Sequence, residues 1–152
     1  MGLLIHSFFT SDFVELVFQL SEFNGKFYGD IRQFVHSGRY TGPTKHGLNL
    51  SSSHLQQLTA ILEANKKAIS DAKKEELISK MPYKKNSFVI VSLVESNLDD
   101  NPVCLDIREY LELPQYKGFS KKGFRIPMDL IEEFIEGCRL LRESIEMRMK
   151  II

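Results

Sequence analysis

Disulfide scaffolding is the first thing this sequence does without. It holds two cysteines in 152 residues. Cys104 and Cys138 fall in a strand-like and a helix-like apolar stretch, where a free thiol packs as a small hydrophobe rather than as half of a bridge. Nor is a bridge needed, because 43% hydrophobic and 11% aromatic residues in a chain of this length supply a sufficient core. Net charge is absent too: Lys plus Arg and Asp plus Glu stand at 20 each. No global field draws the molecule to nucleic acid or to an anionic membrane, so any polyanion site has to come from local segregation of charge. No run reaches the ~20 apolar residues of a membrane span, and the opening MGLLIHSFFTSD lacks the basic segment and cleavage site of a secretory signal. An intracellular protein with no membrane partner is the expectation, in a cytoplasm and nucleoid or in a nucleus. His6, His36, His46 and His54 make no metal-ligand spacing with the cysteines. Nucleophile motifs, phosphate loops and spaced carboxylate pairs are also missing. No metal, cofactor or catalytic residue is expected, and the chain reads as a non-enzyme.

What is present is a repeat. KFYGDIRQFVHSGRYTGPTKHGLNL, residues 26–50, aligns without a gap on PVCLDIREYLELPQYKGFSKKGFRI, residues 102–126, at an offset of 76. Between Asp30 and Gly47 seven of 18 residues recur: Asp30, Ile31, Arg32, Tyr40, Gly42, Lys45 and Gly47. Background composition would give about one. Two units are too few for a solenoid, and a pair of similar halves packed on each other within one chain is the better expectation.

The first half reads as strands near Phe13 to Glu22 and Lys26 to Val35, joined at Asn24-Gly25, the strongest dipeptide for a two-residue type I′ turn. HSGRYTGPTKHG, rich in Gly and Pro, reads as a connection leading to a short strand that ends near Leu50. From Ser51 the apolar period changes to helical, through Leu55, Leu58, Ile61, Leu62 and Ile69, with Ser51 or Ser52 as cap. NKKAISDAKKEELISKMPYKK prolongs the helix and then becomes a linker, with Pro82 at its end. The second half repeats the order: strands in SFVIVSLVE and PVCLDIREYL, a loop with Gly118, and a short strand to Ile126. A helix then begins at Pro127, with one stripe through Leu130, Ile131, Phe134, Ile135, Cys138, Leu141 and Ile145. The predicted fold is α+β: two repeats, 1–80 and 81–152, each a curved antiparallel sheet followed by a long helix, packed as an intramolecular pseudo-dimer.

LDIREYL followed by KKGFRI and an amphipathic helix resembles the single-stranded-DNA-binding domain of the transcriptional coactivator positive cofactor four, and GDIRQF with GPTKHGLNLSSSHLQQL resembles it again. The resemblance covers most of the chain outside the linker and the ends. It implies curved sheets paired through their helices, with grooves for extended single strands. Partners would be single-stranded nucleic acid, DNA before RNA, together with transcription or replication proteins; exposed strand edges leave room for self-association. Single-strand binders combine cations for phosphates with aromatics for bases. Phe23, Lys26, Arg32, Arg39, Tyr40 and Lys45 supply that mixture in the first half. Arg108, Tyr116, Lys117, Lys121, Lys122 and Arg125 supply it in the second. The spacing by itself favours a structural role, with Asp-x-Arg as a cross-strand ion pair and the tyrosines covering a sheet edge, and it is the resemblance that turns the reading to binding. Where the family often carries Trp after Arg-Glu-Tyr, Val35 and Leu111 stand here. The first half keeps an aromatic-x-Gly-Lys hairpin at Phe23-Asn24-Gly25-Lys26. The second has Asp99-Asp100-Asn101-Pro102, whose carboxylates would repel phosphates, so the first half is expected to contribute more. The rival expectations are a protein-interaction module with weakened nucleic-acid binding, and an RNA-binding protein.

Overall fold

A computed structural model describes residues 2–96 and 101–151. Strands β1 (Leu3–Phe9), β2 (Val14–Phe23), β3 (Lys26–His36) and β4 (Thr41–Leu50) form one antiparallel meander. Helices α1 (Ser52–Ala64) and α2 (Lys66–Asp71) follow. Strands β5 (Glu76–Pro82), β6 (Ser87–Glu95), β7 (Val103–Leu113) and β8 (Tyr116–Ile126) form a second meander, and a 3-10 turn at Met128–Leu130 leads into α3 (Ile131–Ile151). The architecture is α+β, with two four-stranded sheets and a C-terminal helix.

The repeat is visible in the hydrogen-bond register. Every β3–β4 pair has a β7–β8 counterpart 76 residues later, from Asp30↔Asn49 and Asp106↔Arg125 to His36↔Thr41 and Glu112↔Lys117. The outer pairs match at an offset of 73, including an irregularity at Leu4/His6 that returns at Leu77/Ser79. The difference of three residues is taken up between β6 and β7. There the connection 96–102 replaces the two-residue turn at Asn24-Gly25, whose φ angles of 53° and 77° are those of the expected I′ type. The acidic pair Asp99-Asp100 lies outside the described residues.

Two expectations are corrected. The second sheet starts at Glu76, so ELISKMP is an edge strand rather than the tail of a helix and a linker. The segments read as loops before short strands are themselves strand: β4 and β8 extend over 10 and 11 residues. Pro43 is tolerated because β4 is the last strand of its sheet and its ladder is interrupted there by a bulge.

Alternation sets the layers. Leu16, Phe18, Leu20, Ile31, Leu48 and Leu50 of the first sheet, and Val89, Val91, Leu93, Leu105, Ile107 and Phe124 of the second, point inward. They join Leu55, Leu58 and Leu62 of α1 and Phe134, Cys138, Leu141 and Ile145 of α3 in one core. Phe134 is its hinge, with ring centroid 5.7 Å from both Phe18 and Phe124. α3 therefore packs against the first sheet, where His6 also bonds Glu133. α1 and α3 lie side by side and antiparallel: Ser52 bonds Glu146 at one end, and Lys66, just beyond α1, pairs with Glu132 at the other. Both cysteines are buried, and burial pushes the Cys138 thiol up.

α1 is started by a capping box. The Ser51 hydroxyl accepts from the His54 amide at 3.1 Å, and His54 Nδ1 accepts from the Ser51 amide at 3.3 Å. Such a cap is worth ~1 kcal/mol. Among the described residues no helix is long and apolar enough to cross a membrane.

Candidate functional site

The recurring residues build one device twice. In β3, Arg32 lies on the outward face beside Asp30, and its Nε and Nη2 donate to that carboxylate at 3.1 and 2.9 Å. Its Nη1 reaches into β4 and donates to the Thr44 carbonyl at 2.9 Å. That carbonyl belongs to a bulge, since Arg32 pairs with Gly47 and Phe34 with Pro43, leaving Thr44, Lys45 and His46 opposite the single residue Gln33. The Thr44 hydroxyl closes the bulge, donating to the Gln33 carbonyl at 2.8 Å and accepting from the His46 amide at 3.1 Å. Gly47 is required by the arginine: a Cβ there would come within 2.7 Å of the guanidinium carbon.

The second copy is the same in outline. Arg108 donates to Asp106 at 3.4 and 3.1 Å and to the Lys121 carbonyl at 3.3 Å. Ser120 takes the place of Thr44, accepting from the Lys122 amide at 3.0 Å. Gly123 lies under Arg108, as Gly47 lies under Arg32. The tyrosines repeat as well, since Tyr40 and Tyr116 each donate to the carbonyl three residues on, at 2.6 and 2.8 Å. Asp-x-Arg is thus an ion pair within one strand, not across two. Of the seven recurring residues, six have a structural duty in both copies: Ile31 and Ile107 are core, and a Cβ at Gly42 or Gly118 would meet the tyrosine hydroxyl at 2.9 or 2.8 Å. The seventh, Lys45 and its counterpart Lys121, is exposed at the apex of each bulge.

The two bulges meet. β4 and β8 run along the seam between the sheets, where His46 Nδ1 donates to the Lys121 carbonyl at 3.1 Å. Tyr83, from the turn after β5, donates its hydroxyl to the Asn49 carbonyl at 2.8 Å, and burial pushes that hydroxyl up to about 12. Around the seam opens a groove of about 320 Å³ lined by Arg32, Lys45, Gly47, Asn49, Tyr83, Lys84, Ser120, Lys121 and Lys122. No carboxylate lines it, and among the described residues none of the four lysines is in an ion pair. The acidic residues on the described part of α3 are elsewhere, largely in pairs with Arg139 and Lys66. A chain of zero net charge thereby acquires a local cationic track.

The expected residues therefore divide. Lys45, Lys121 and Lys122 come together in the groove, with Arg32 on its wall. Arg108 and Arg125 both converge on Asp106, which is 6% exposed in its side chain. Phe23 and Lys26 are exposed at the tip of the first hairpin, where Lys26 lines a separate concavity with Ser51, Ser52, Ser53, Ile145 and Met149. Arg39 is exposed in the β3–β4 connection, and Lys117 is exposed opposite Glu112. Sequence reasoning missed Lys84, which joins the track only because Tyr83 anchors its turn to β4. It also missed an aromatic row on the second sheet, Phe88, Tyr110 and Phe119, paired side by side across three strands. No protein-family model matches the chain, and no curated protein matches it either.

Proposed function

We propose that this protein binds single-stranded or unwound DNA with little sequence preference and catalyses no reaction. In this reading it is an intramolecular pseudo-dimer. The matching registers of the two sheets and the antiparallel α1–α3 pair support that reading, and each repeat contributes one lysine bulge to a shared phosphate track. The observation that carries it is the convergence of Lys45, Lys84, Lys121 and Lys122 on one groove with no carboxylate in its lining. Phosphates recruited there would displace counterions, so binding is electrostatic in origin and tolerant of sequence. The resemblance of both repeats to the coactivator domain supports a role in transcription, replication or repair, with the partners such work implies. A second reading, an assembly module, is favoured by the apolar side chains on the edge strand β1, where Leu3, Leu4 and Phe9 are each more than half exposed.

The deciding experiment is fluorescence anisotropy with labelled single-stranded DNA, duplex DNA and single-stranded RNA of matched length at low salt. Tightest binding to single-stranded DNA is expected. Tighter binding to RNA would reassign the ligand, and no binding to any of the three would leave the assembly module as the function.

A further inference from the structure

We infer that the outward face of the second sheet is a nucleobase-stacking platform centred on Phe119, and that the first sheet has no such platform. The inference rests on the nucleic-acid reading above but uses a separate set of side chains.

Phe119 is 47% exposed although it stands within a strand, and its ring is held rather than loose. Tyr110, its cross-strand partner, meets it edge-on with centroids 5.2 Å apart and planes at 85°. Phe88 continues the row beyond Tyr110. The Lys80 ammonium sits 4.2 Å from the Phe88 centroid, fixed there by Glu112 at 2.7 Å. The Tyr116 hydroxyl bonds the Phe119 carbonyl itself. A preorganised ring with a free face is what a base needs, because little side-chain entropy is lost when it stacks.

The ring is also continuous with the phosphate track. Phe119 precedes Lys121 by two residues on β8, roughly 7 Å along the strand. A nucleotide whose phosphate lies at the second bulge can therefore lay its base on the ring.

The equivalent row of the first sheet is Glu15, Phe34 and Pro43. Proline replaces the exposed ring next to the seam. A carboxylate, bonded to His36 at 2.8 Å, replaces Phe88. Phe9 is exposed on that sheet too, but on the outer strand β1, with Glu15 between it and Phe34. The single strand is thus gripped by lysines of both repeats and read by aromatics of one, the reverse of the asymmetry expected from the Phe23-Lys26 hairpin.

The test is anisotropy at fixed low salt with Phe119→Ala, compared with Phe9→Ala and checked by thermal melting. Phe119→Ala should weaken single-strand binding at least about five-fold, the loss of one stacked base. Its salt dependence should match that of the unsubstituted protein, because no phosphate contact is lost. Phe9→Ala should leave affinity unchanged. In Phe119→Trp the introduced indole would be the sole tryptophan, and its emission should be quenched by single-stranded oligonucleotide. Unchanged affinity in Phe119→Ala, or an unquenched indole in a protein that binds normally, overturns the platform and leaves the lysine track standing. Failure of the unsubstituted protein to bind any oligonucleotide overturns the nucleic-acid reading, and the platform with it.

Discussion

The two sheets share strand order, register, bulge and ion pair, yet differ in what they show to solvent. The first presents Glu15, Phe34 and Pro43 across its outward face, and the second presents Phe88, Tyr110 and Phe119. What the copies share is a way of holding a lysine out at a defined place. An Asp fixes an Arg, the Arg holds a bulge carbonyl, and a Gly lets it lie flat. The difference teaches that scaffold and surface can separate inside a repeat. The residues that recur are mostly those that shape the backbone, and the residues that differ decide what each half can touch.

The comparison breaks most completely where the halves share a single part. Phe134→Ala should remove the ring that touches Phe18 of one sheet and Phe124 of the other, at a cost of ~3–5 kcal/mol. Denaturant unfolding should still show one transition for both halves. For the same reason a chain beginning at Glu76 should not stay both monomeric and folded, since α3 would lose the first sheet.

The paired carboxylates give a smaller contrast. Asp106 holds both Arg108 and Arg125 and is 6% exposed in its side chain, whereas among the described residues Asp30 holds Arg32 alone and is 18% exposed. Asp106→Asn should cost about 2–3 kcal/mol and Asp30→Asn about 1, read from denaturant midpoints. Equal losses would mean that Arg125 contributes nothing.

The smallest contrast is in pH. His54 completes the α1 cap by accepting at Nδ1, so it must be neutral. Burial foremost, then the neighbouring Lys84, hold its pKa below the usual 6.5, against a hydrogen bond to the Tyr83 backbone. The unfolded chain thus takes up the proton first. The His54 contribution is fully present above pH 6.5 and is lost as pH falls through the lowered folded value. Pro127 and Leu130 occupy the equivalent places around the 3-10 turn before α3, and Pro127 gives that turn no side-chain cap. Stability measured from pH 8 to 5 should fall less steeply on the acid side in His54→Gln than in the unsubstituted protein, with ~1 kcal/mol at stake in the cap.

Much of this fold is legible in the sequence because local rules and tertiary packing agree. Asn24-Gly25 turns where its φ preference says, Ser51 caps, and the stripes of α1 and α3 are core. β5 was hidden because it is an outer strand: only Met81 of Glu76–Pro82 is buried, while Leu77 is 65% exposed, so no alternation marks it. β4 and β8 were hidden because their Gly, Pro and Lys residues break a strand elsewhere, whereas a bulge takes Thr44–His46 and Ser120–Lys122 out of the ladder. Of the site, Lys45 and Lys121 were legible from the repeat itself, whereas Lys84 reaches the groove through a tertiary contact of Tyr83. Alternation put Arg32 and Arg108 on the outward face, but the carbonyls that engage them come from another strand. The Phe88–Tyr110–Phe119 row needs three strands in register, and no single segment carries that information.

The central claim is that Lys45 and Lys121 are one phosphate contact each, delivered twice by the same bulge. It is tested most directly by the slope of log affinity against log salt for single-stranded DNA, in the unsubstituted protein, each single Lys→Ala variant, and the double variant. Each lysine should reduce the slope by ~0.7, and the two reductions should add. A double variant that keeps the full slope, or single variants of which only one has any effect, would contradict a shared track built by both repeats.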